Sequence, residues 1–217
     1  LNDLAVCNGD NGIHPRTDTY VYYGTKEGYN AQHRVTLPSH DNTDICAGDF
    51  NGDGWVDLAI ASRFRKGTVK HFEDQEFSFI YWNSPDGFKP DNRTEFSFNK
   101  RGASAVAAGD LDGDGKPDIA LTNDGIGKAF IYHNTSTSGT ITFDPRVELA
   151  LGADPKGLSL GDINGDGKPD MVITNETSGG TKVFANTSSS GTISFAAGLS
   201  LPIAPGAVPS AAIVLDL

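Results

Sequence analysis

The sequence predicts an all-β fold, a β-propeller built of four-stranded antiparallel blades. A loop rich in Asp, Asn and Gly occurs three times, and short runs of alternating apolar residues lie on both sides of each copy. No window shows a convincing helical period of about 3.6 residues, so we expect almost no helix. Units of about 50 residues that recur along a chain are typical of propellers, in which each unit forms one blade.

The repeated loop defines the organisation of the chain. Its complete copies begin at Gly48, Gly109 and Gly161 and read GDFNGDGWVDLAI, GDLDGDGKPDIAL and GDINGDGKPDMVI. Residues 2–6 align with the end of this motif, and residues 209–217 align with the strand before it and its first residues. The sequence therefore predicts a single β-propeller region over 1–217, with repeats at approximately 1–48, 49–109, 110–161 and 162–217.

Each repeat supplies its strands in the same order. The first strand leads into the loop, as at 104–109, and the second leaves it, as at 119–123. The third carries aromatic residues, in VYYG, IYWN, IYHN and VFAN, which we expect to pack between blades rather than to form a ligand platform. The fourth is expected after a Gly turn, as in GTITFDPRVEL from Gly139 and GTISFAAGL from Gly191.

The polar positions of the loop predict calcium binding. Asp or Asn occupies positions 1, 3, 5 and 9, which are the oxygen ligands that a hard cation requires, and position 7 needs only a backbone carbonyl. Position 12 is Ile60, Leu121 or Ile173, where an EF-hand has a bidentate Glu, so the loop joins two strands rather than two helices. The predicted ligands are Asp49, Asn51, Asp53, Trp55, Asp57, Asp110, Asp112, Asp114, Lys116, Asp118, Asp162, Asn164, Asp166, Lys168 and Asp170, with Trp55, Lys116 and Lys168 acting through their backbone carbonyls.

These ligand sets imply about one Ca²⁺ per complete loop, three in all. The end residues Asp3 and Asp216 occupy ligand positions of two partial loops.

The repeats resemble FG-GAP/VCBS-type repeats, the family that includes the calcium-binding blades of integrin α-subunit propellers. The shared motif, G-D-[FLI]-[ND]-G-D-G-x-x-D-[LIM], recurs over nearly the whole chain. The resemblance implies a β-propeller with calcium in a hairpin loop at the edge of each blade. Because the family usually closes with seven blades, four repeat periods imply part of a larger propeller. The alternative is a closed four-bladed ring in which residues 209–215 complete the first blade.

Composition restricts the possible partners. The formal charge is −11, and ten of the carboxylates lie in the three complete loops, so bound calcium would offset much of it. No basic patch suits a nucleic-acid backbone, and no apolar stretch is long enough to span a membrane. Calcium loops at this density suit extracellular calcium concentrations, so we expect an extracellular or cell-surface protein, with the periplasm as an alternative.

One segment departs from the repeat pattern. Residues 63–77 lengthen their repeat and contain a basic half, for which two interpretations remain: a solvated hairpin extension or a recognition loop on the propeller. The possible recognition residues are Arg63, Arg65, Lys66, Lys70 and His71.

Other reactive side chains are few. Cys7 and Cys46 either form a disulfide between successive blades or are two buried free thiols. The five histidines, His14, His33, His40, His71 and His133, form no recognisable pair with metal-ligand spacing.

No motif of nucleophilic or metalloprotease catalysis occurs in the sequence, so we expect a protein that binds rather than catalyses. Three functions remain open. The first is adhesion, through recognition of glycans or surface proteins. The second is a structural subunit of an extracellular assembly, in contact with other parts of the same longer polypeptide. The third is an accessory propeller of a secreted polysaccharide-degrading enzyme.

Overall fold

The computed structural model describes residues 2–9, 17–63, 76–98, 102–138, 140–152, 154–176, 180–204 and 206–215. Within these ranges the chain forms fifteen β-strands and no helix, in agreement with the predicted all-β class. Accordingly, no described residue belongs to a helix that could cross a membrane.

The strands follow one another in chain order as β1 (Leu4–Val6), β2 (Thr19–Tyr22), β3 (Arg34–Leu37), β4 (Asn42–Gly48), β5 (Asp57–Ser62), β6 (Glu76–Tyr81), β7 (Arg93–Phe98), β8 (Ala105–Gly109), β9 (Asp118–Asn123), β10 (Lys128–Tyr132), β11 (Val147–Ala150), β12 (Pro155–Gly161), β13 (Asp170–Asn175), β14 (Gly180–Phe184) and β15 (Leu199–Leu201).

The strands form four antiparallel sheets, each a simple meander. The first sheet has three strands, β1-β2-β3, and the others have four, β4 to β7, β8 to β11 and β12 to β15. We call them blades 1 to 4. The inner strands of successive blades lie side by side, with β8 between β4 and β12. In this contact the Val106 N–H donates to Asp44 at 3.1 Å, and the Thr43 hydroxyl donates to the Ala103 carbonyl at 2.9 Å.

The ring is not closed within the described residues. Strand β1 lies at the edge of blade 1, where β2 is its only partner among the described strands. The C-terminal segment instead runs beside the inner strand of blade 4, since the Val214 N–H donates to the Ser159 hydroxyl at 3.3 Å. The alternative of a closed four-bladed ring is therefore wrong for this arrangement, and residues 210–214 lie beside β12 instead.

The fourth strands begin later than the sequence predicts. Strand β11 starts at Val147 and β15 at Leu199, and each is preceded by a separate small hairpin, one paired at Asn134 and Phe143 and the other at Asn186 and Phe195. We call these hairpins H3 and H4. Each closes on itself because two polar residues exchange backbone hydrogen bonds across its turn, as Thr137 and Thr140 do at 2.8 and 2.9 Å.

Side-chain alternation along the strands builds the core between blades. In β5, Leu58 and Ile60 pack in a cluster with Val21 of blade 1. The intervening Ala59 and Ala61 face blade 3 instead. A third cluster fills the space between blades 3 and 4. Each blade thus presents one face to each neighbour.

In blades 2 to 4 the aromatic residues of the third strands lie in or against these clusters, as expected, whereas Tyr22 and Tyr23 of blade 1 are only partly buried. Tyr81, Trp82, Phe130 and Phe184 are 0 to 5% exposed. An apolar surface buried to this extent contributes about 25 cal/mol per Å² to folding, which makes these rings a major source of interblade stability.

Candidate metal centres at the blade loops

The three acidic loops lie between the first two strands of blades 2, 3 and 4. We call them loop A (49–57), loop B (110–118) and loop C (162–170). Two glycines in each loop have positive φ, for example 69° at Gly52 and 88° at Gly54. Residues with a Cβ atom rarely adopt this left-handed backbone conformation, whereas glycine does so without steric cost. The two glycines therefore allow the chain to reverse tightly, with its N–H groups directed into the loop.

The first ligand position organises each loop through the backbone. In loop B the Asp110 carboxylate accepts the N–H groups of Gly113 at 2.8 Å and Gly115 at 2.9 Å. In loop C the corresponding hydrogen bond from the Gly167 N–H lowers the pKa of Asp162, because it stabilises the charged carboxylate. The loop is therefore shaped to hold ionised oxygens close together.

The ninth position joins the loop to the rest of its blade. Asp57, Asp118 and Asp170 are at most 1% exposed. Each accepts one N–H from position 2 of the loop and one from the Asn that lies two residues after the end of the third strand. Asp3 accepts the Gly24 N–H at 2.8 Å in the equivalent way, while Asp216 lies outside the described residues. The ninth residue thus supports the hairpin in addition to its predicted ligand role.

Loop B brings the predicted carboxylates closest together. Oxygens of Asp110, Asp112 and Asp118 all lie within 4.8 Å of one another. Asp112 has a side chain with no exposed surface, although carboxylates are rarely buried without a compensating charge. Burial also raises the pKa of Asp118 to about 6, and that of Asp57 in loop A to about 7. A bound cation would compensate these charges, so the donor set fits a divalent metal ion.

Loops A and C differ from loop B at position 3. Their Asn51 and Asn164 amides donate to the position-5 carboxylates, at 3.0 Å to Asp53 and 3.1 Å to Asp166. At position 7 the backbone N–H of Trp55, like those of Lys116 and Lys168, donates to the same carboxylates. The predicted ligand role of the position-7 carbonyls stays a prediction.

The following blade holds each of the first two loops in place. The Asn134 side chain donates to the Phe50 carbonyl of loop A at 2.7 Å, and Asn186 donates to the Leu111 carbonyl of loop B at 2.8 Å. The Gly191 N–H of hairpin H4 also donates to the Asp112 carboxylate. Sequence reasoning missed these contacts, although the Asn that ends IYWN, IYHN and VFAN was a signal for them.

His133 lies in loop B's carboxylate cluster, although the spacing of the histidines along the chain indicated no metal site. Its Nε2 atom is 3.2 Å from Asp112 and 3.9 Å from Asp114, and its Nδ1 atom is 2.8 Å from Asp144. Burial lowers the pKa of His133, but the hydrogen bond to Asp144 and the charges of Asp118, Asp112 and Asp144 outweigh it, so the pKa is raised. Strand pairing, rather than sequence spacing, brings this imidazole to the loop.

Of the possible recognition residues, only Arg63 lies in the described part of the chain. Its guanidinium forms a 2.5 Å ion pair with Asp124 of blade 3, so it also has a role between blades. Arg65, Lys66, Lys70 and His71 lie outside the described residues, and their recognition role stays a prediction.

On the loop face, an open cleft of about 610 Å³ lies between loop A on one side and loop B and hairpin H3 on the other.

The cysteines do not form a disulfide in this structure. Cys7 and Cys46 are free and partly buried. Burial and the neighbouring Asp44 charge raise the pKa of both thiols, that of Cys46 to about 12. Both side chains therefore act as neutral, small packing groups, the second of the two interpretations.

The structure defines a class of protein: β-propeller blades with candidate cation sites in their first hairpins. The features that define it are the meander sheets, the apolar cores between blades and the acidic loops. Comparison with known families identifies which blades these are. An FG-GAP-like repeat model matches residues 73–121 and 110–173, and an FG-GAP repeat model matches 42–72 and 157–194. The chain belongs to the FG-GAP repeat family.

The curated relatives that the chain matches include integrin α subunits. The chain is 33% identical to integrin alpha-7 of Rattus norvegicus over 139 residues, which is 58% of the chain and 12% of that protein. It is 28% identical to integrin alpha-4 of Xenopus laevis over 152 residues, or 63% of the chain and 14% of that protein. The chain therefore spans a small part of the length of the relatives it matches.

Proposed function

We propose that the chain is a non-catalytic, calcium-stabilised part of an extracellular β-propeller that recognises proteins or glycans at a cell surface. The observation that carries the proposal is loop B, where three carboxylate oxygens lie within 4.8 Å of one another and Asp112 is fully buried. The similarity to integrin α subunits supports an adhesion-type role and a location at the cell surface.

Calcium would act on stability through the loops. Asp110, Asp112, Asp114 and Asp118 would hold the ion in loop B, and the equivalent residues would do so in loops A and C. The ion would neutralise carboxylates that otherwise repel one another in a single turn. The carbonyl of loop position 2 accepts a hydrogen bond from an Asn side chain of the next blade in loops A and B. Ordering of these loops by calcium would therefore also strengthen the contact between blades.

In this proposal the protein or glycan ligand binds at the loop face of blades 2 and 3. The cleft beside loop A offers polar side chains and backbone groups, among them Asn51, Ser136 and Thr137. Loops on a rigid scaffold are where propellers usually place their binding residues. Binding to a panel of glycans and matrix proteins, with and without calcium, would test this part. If neither the glycans nor the matrix proteins bind in a calcium-dependent way, the recognition role is wrong and the chain has a structural role instead.

Thermal unfolding with calcium and with excess chelator tests the calcium sites. With the ion at about a thousandfold over its Kd, each site adds about 4 kcal/mol to the free energy of unfolding. The Asp114→Ala variant should lose about this amount in calcium and little in chelator. Asp91→Ala, an exposed aspartate outside the loops, is the matched control and should behave as the unmodified chain in both conditions. Equal destabilisation of Asp114→Ala in both conditions would refute the ligand role.

A further inference from the structure

We propose that loop B is also a site for a transition-metal divalent cation of the Zn²⁺ class, with the His133 Nε2 atom and the carboxylates of Asp112 and Asp114 as its ligands. The inference rests on the proposed function only in that both use loop B. It adds a nitrogen ligand and a different class of ion.

The first argument is the position of the imidazole. One ligand atom from each of His133, Asp112 and Asp114 lies within 4.8 Å of the others. The Nε2 atom is 3.2 Å from the Asp112 oxygen and 3.9 Å from the Asp114 oxygen. Zinc bonds of about 2.0 to 2.1 Å in a tetrahedral site place neighbouring ligand atoms about 3.3 Å apart, so small side-chain movements would complete the site.

The second argument is the state of the Nε2 atom. Among the described residues it makes no hydrogen bond, and it faces the Asp112 oxygen at 3.2 Å, while the His133 side chain is only 11% exposed. An unsatisfied polar atom at the centre of a carboxylate cluster is costly unless a ligand reaches it. A metal ion would satisfy Nε2 and the buried Asp112 carboxylate together.

The third argument is the hydrogen bond on the other side of the ring. The Nδ1 atom lies 2.8 Å from Asp144, and an ionised carboxylate can only accept, so Nδ1 carries the proton. In the neutral ring this leaves the lone pair on Nε2, directed into the cluster. A carboxylate that orients a histidine in this way is the usual support of a metal-ligating imidazole.

The fourth argument is that this donor set occurs in one blade. The positions equivalent to His133 at the end of the third strands are Tyr23, Trp82 and Ala185, none of which can replace the imidazole. Loop B also has Asp112 at position 3, where loops A and C have Asn. Imidazole with carboxylates suits zinc and its neighbours, whereas calcium prefers oxygen alone.

Three groups compete with the metal for these carboxylates. The Gly191 N–H donates to the same Asp112 oxygen that lies 3.2 Å from Nε2. The Lys116 ammonium is 3.2 Å from the same Asp114 oxygen, and a protonated His133 could itself serve as the counter-ion of Asp112. Lys116 is 39% exposed and can turn toward solvent when an ion binds. A histidine that acts only as a counter-ion makes a different prediction, because its removal would leave zinc affinity unchanged.

Calorimetric titration of the metal-free chain with Zn²⁺ and separately with Ca²⁺ tests the inference. His133→Gln should weaken binding of one Zn²⁺ at least tenfold and leave the affinity for Ca²⁺ within about twofold. Asp144→Asn should weaken Zn²⁺ about tenfold or more, because outer partners of metal-ligating histidines typically contribute 10- to 100-fold. His33→Gln, at an exposed histidine of blade 1, is the matched control and should change neither affinity.

Unchanged Zn²⁺ affinity in His133→Gln would overturn the inference, as would an equal loss of Zn²⁺ and Ca²⁺ affinity, which would indicate a structural effect. Thermal unfolding of each variant in chelator separates loss of folding from loss of a ligand. The two proposals fail separately. A chain that binds Zn²⁺ through His133 but no Ca²⁺ would overturn the proposed function alone, and the reverse result would overturn this inference alone.

Discussion

At the scale of single residues, the aspartates of one loop have different roles. The Asp118 carboxylate accepts the Leu111 N–H at 2.9 Å and the Asn134 N–H at 2.8 Å, and it is fully buried. Asp114 accepts one backbone N–H, that of Lys116 at 2.9 Å, it also contacts the exposed Lys116 ammonium at 3.2 Å, and its side chain is 18% exposed. The ninth position therefore has a structural role that does not depend on an ion.

This difference predicts the behaviour of Asp118→Asn. The amide retains one acceptor oxygen, but its NH₂ group would face the second backbone N–H, so a buried donor would lose its partner. We expect a loss of about 1 to 3 kcal/mol in the free energy of unfolding, even in chelator. Asp114→Asn is the control and should change stability in chelator by much less. Urea unfolding of both variants measures this, and equal stability of the two would contradict the structural role of Asp118.

At the scale of elements, blades 2 and 3 approach each other most tightly at the entrance to β8. The Ala103 N–H donates to the Ser62 carbonyl at 2.9 Å. Gly102 has φ of 62°, and a Cβ atom there would lie 2.2 Å from the same carbonyl oxygen. Both blades approach through backbone atoms, which cannot move aside as a flexible side chain would.

Gly102→Ala should consequently destabilise the protein through a clash as well as through backbone strain. The left-handed conformation costs a residue with a side chain about 1 to 2 kcal/mol, and displacement of a packed backbone adds about 1 to 3 kcal/mol. The matched control is Gly28→Ala, because Gly28 also has positive φ, 96°, but its Cβ would meet no atom within 4 Å. Differential scanning calorimetry should show the larger decrease in Tm for Gly102→Ala. Similar decreases in Tm for the two variants would mean that blade 3 shifts to accommodate the Cβ atom at Gly102 without a loss of stability.

At the scale of the whole molecule, contacts join the blades at both ends. At the loop end, the Asn134 and Asn186 side chains bind loops A and B to the next blade, and hairpin H4 adds a contact to loop B. At the opposite end, Asp124 of blade 3 contacts Arg63 of blade 2 at 2.5 Å and Lys156 of blade 4 at 3.4 Å. Lys156 is also 3.0 Å from Glu176. Asp124 has a side chain that is only 4% exposed, so its pairs are shielded from solvent.

Asp124→Asn should therefore weaken the association of three blades. Removal of one partner from a buried ion pair costs about 3 to 5 kcal/mol, and the partial exposure of Arg63 and Lys156 reduces this to about 2 to 3 kcal/mol. Asp86→Asn removes an exposed pair with Lys89, also at 3.0 Å, and should cost less than about 1 kcal/mol. Chemical denaturation at low and high salt measures both, and a loss for Asp124→Asn no larger than that for Asp86→Asn would show that the network adds little.

Much of the candidate site can be predicted from the sequence because its parts are local. Positions 1, 3, 5 and 9 lie within nine residues of one another, so a turn with glycines at fixed places brings them together whatever surrounds it. The strands on both sides follow from alternating apolar residues. The fourth strands could not be placed, since the Thr- and Ser-rich segments after the third strands form hairpins of their own before the chain returns to the sheet.

The all-β class, the three acidic loops and the burial of aromatic residues in the third strands of blades 2 to 4 could be predicted from the sequence, because short-range periodicity and composition encode each of them. Three contacts follow only from the packing of the blades: His133 and Asp144 enter loop B, Arg63 pairs with Asp124 across a blade boundary, and residues 210–214 lie beside β12. Each of these depends on which strands and blades become neighbours. Contacts between residues far apart in the chain produce no periodic pattern in the sequence, because they form only when the blades pack and bring two surfaces together.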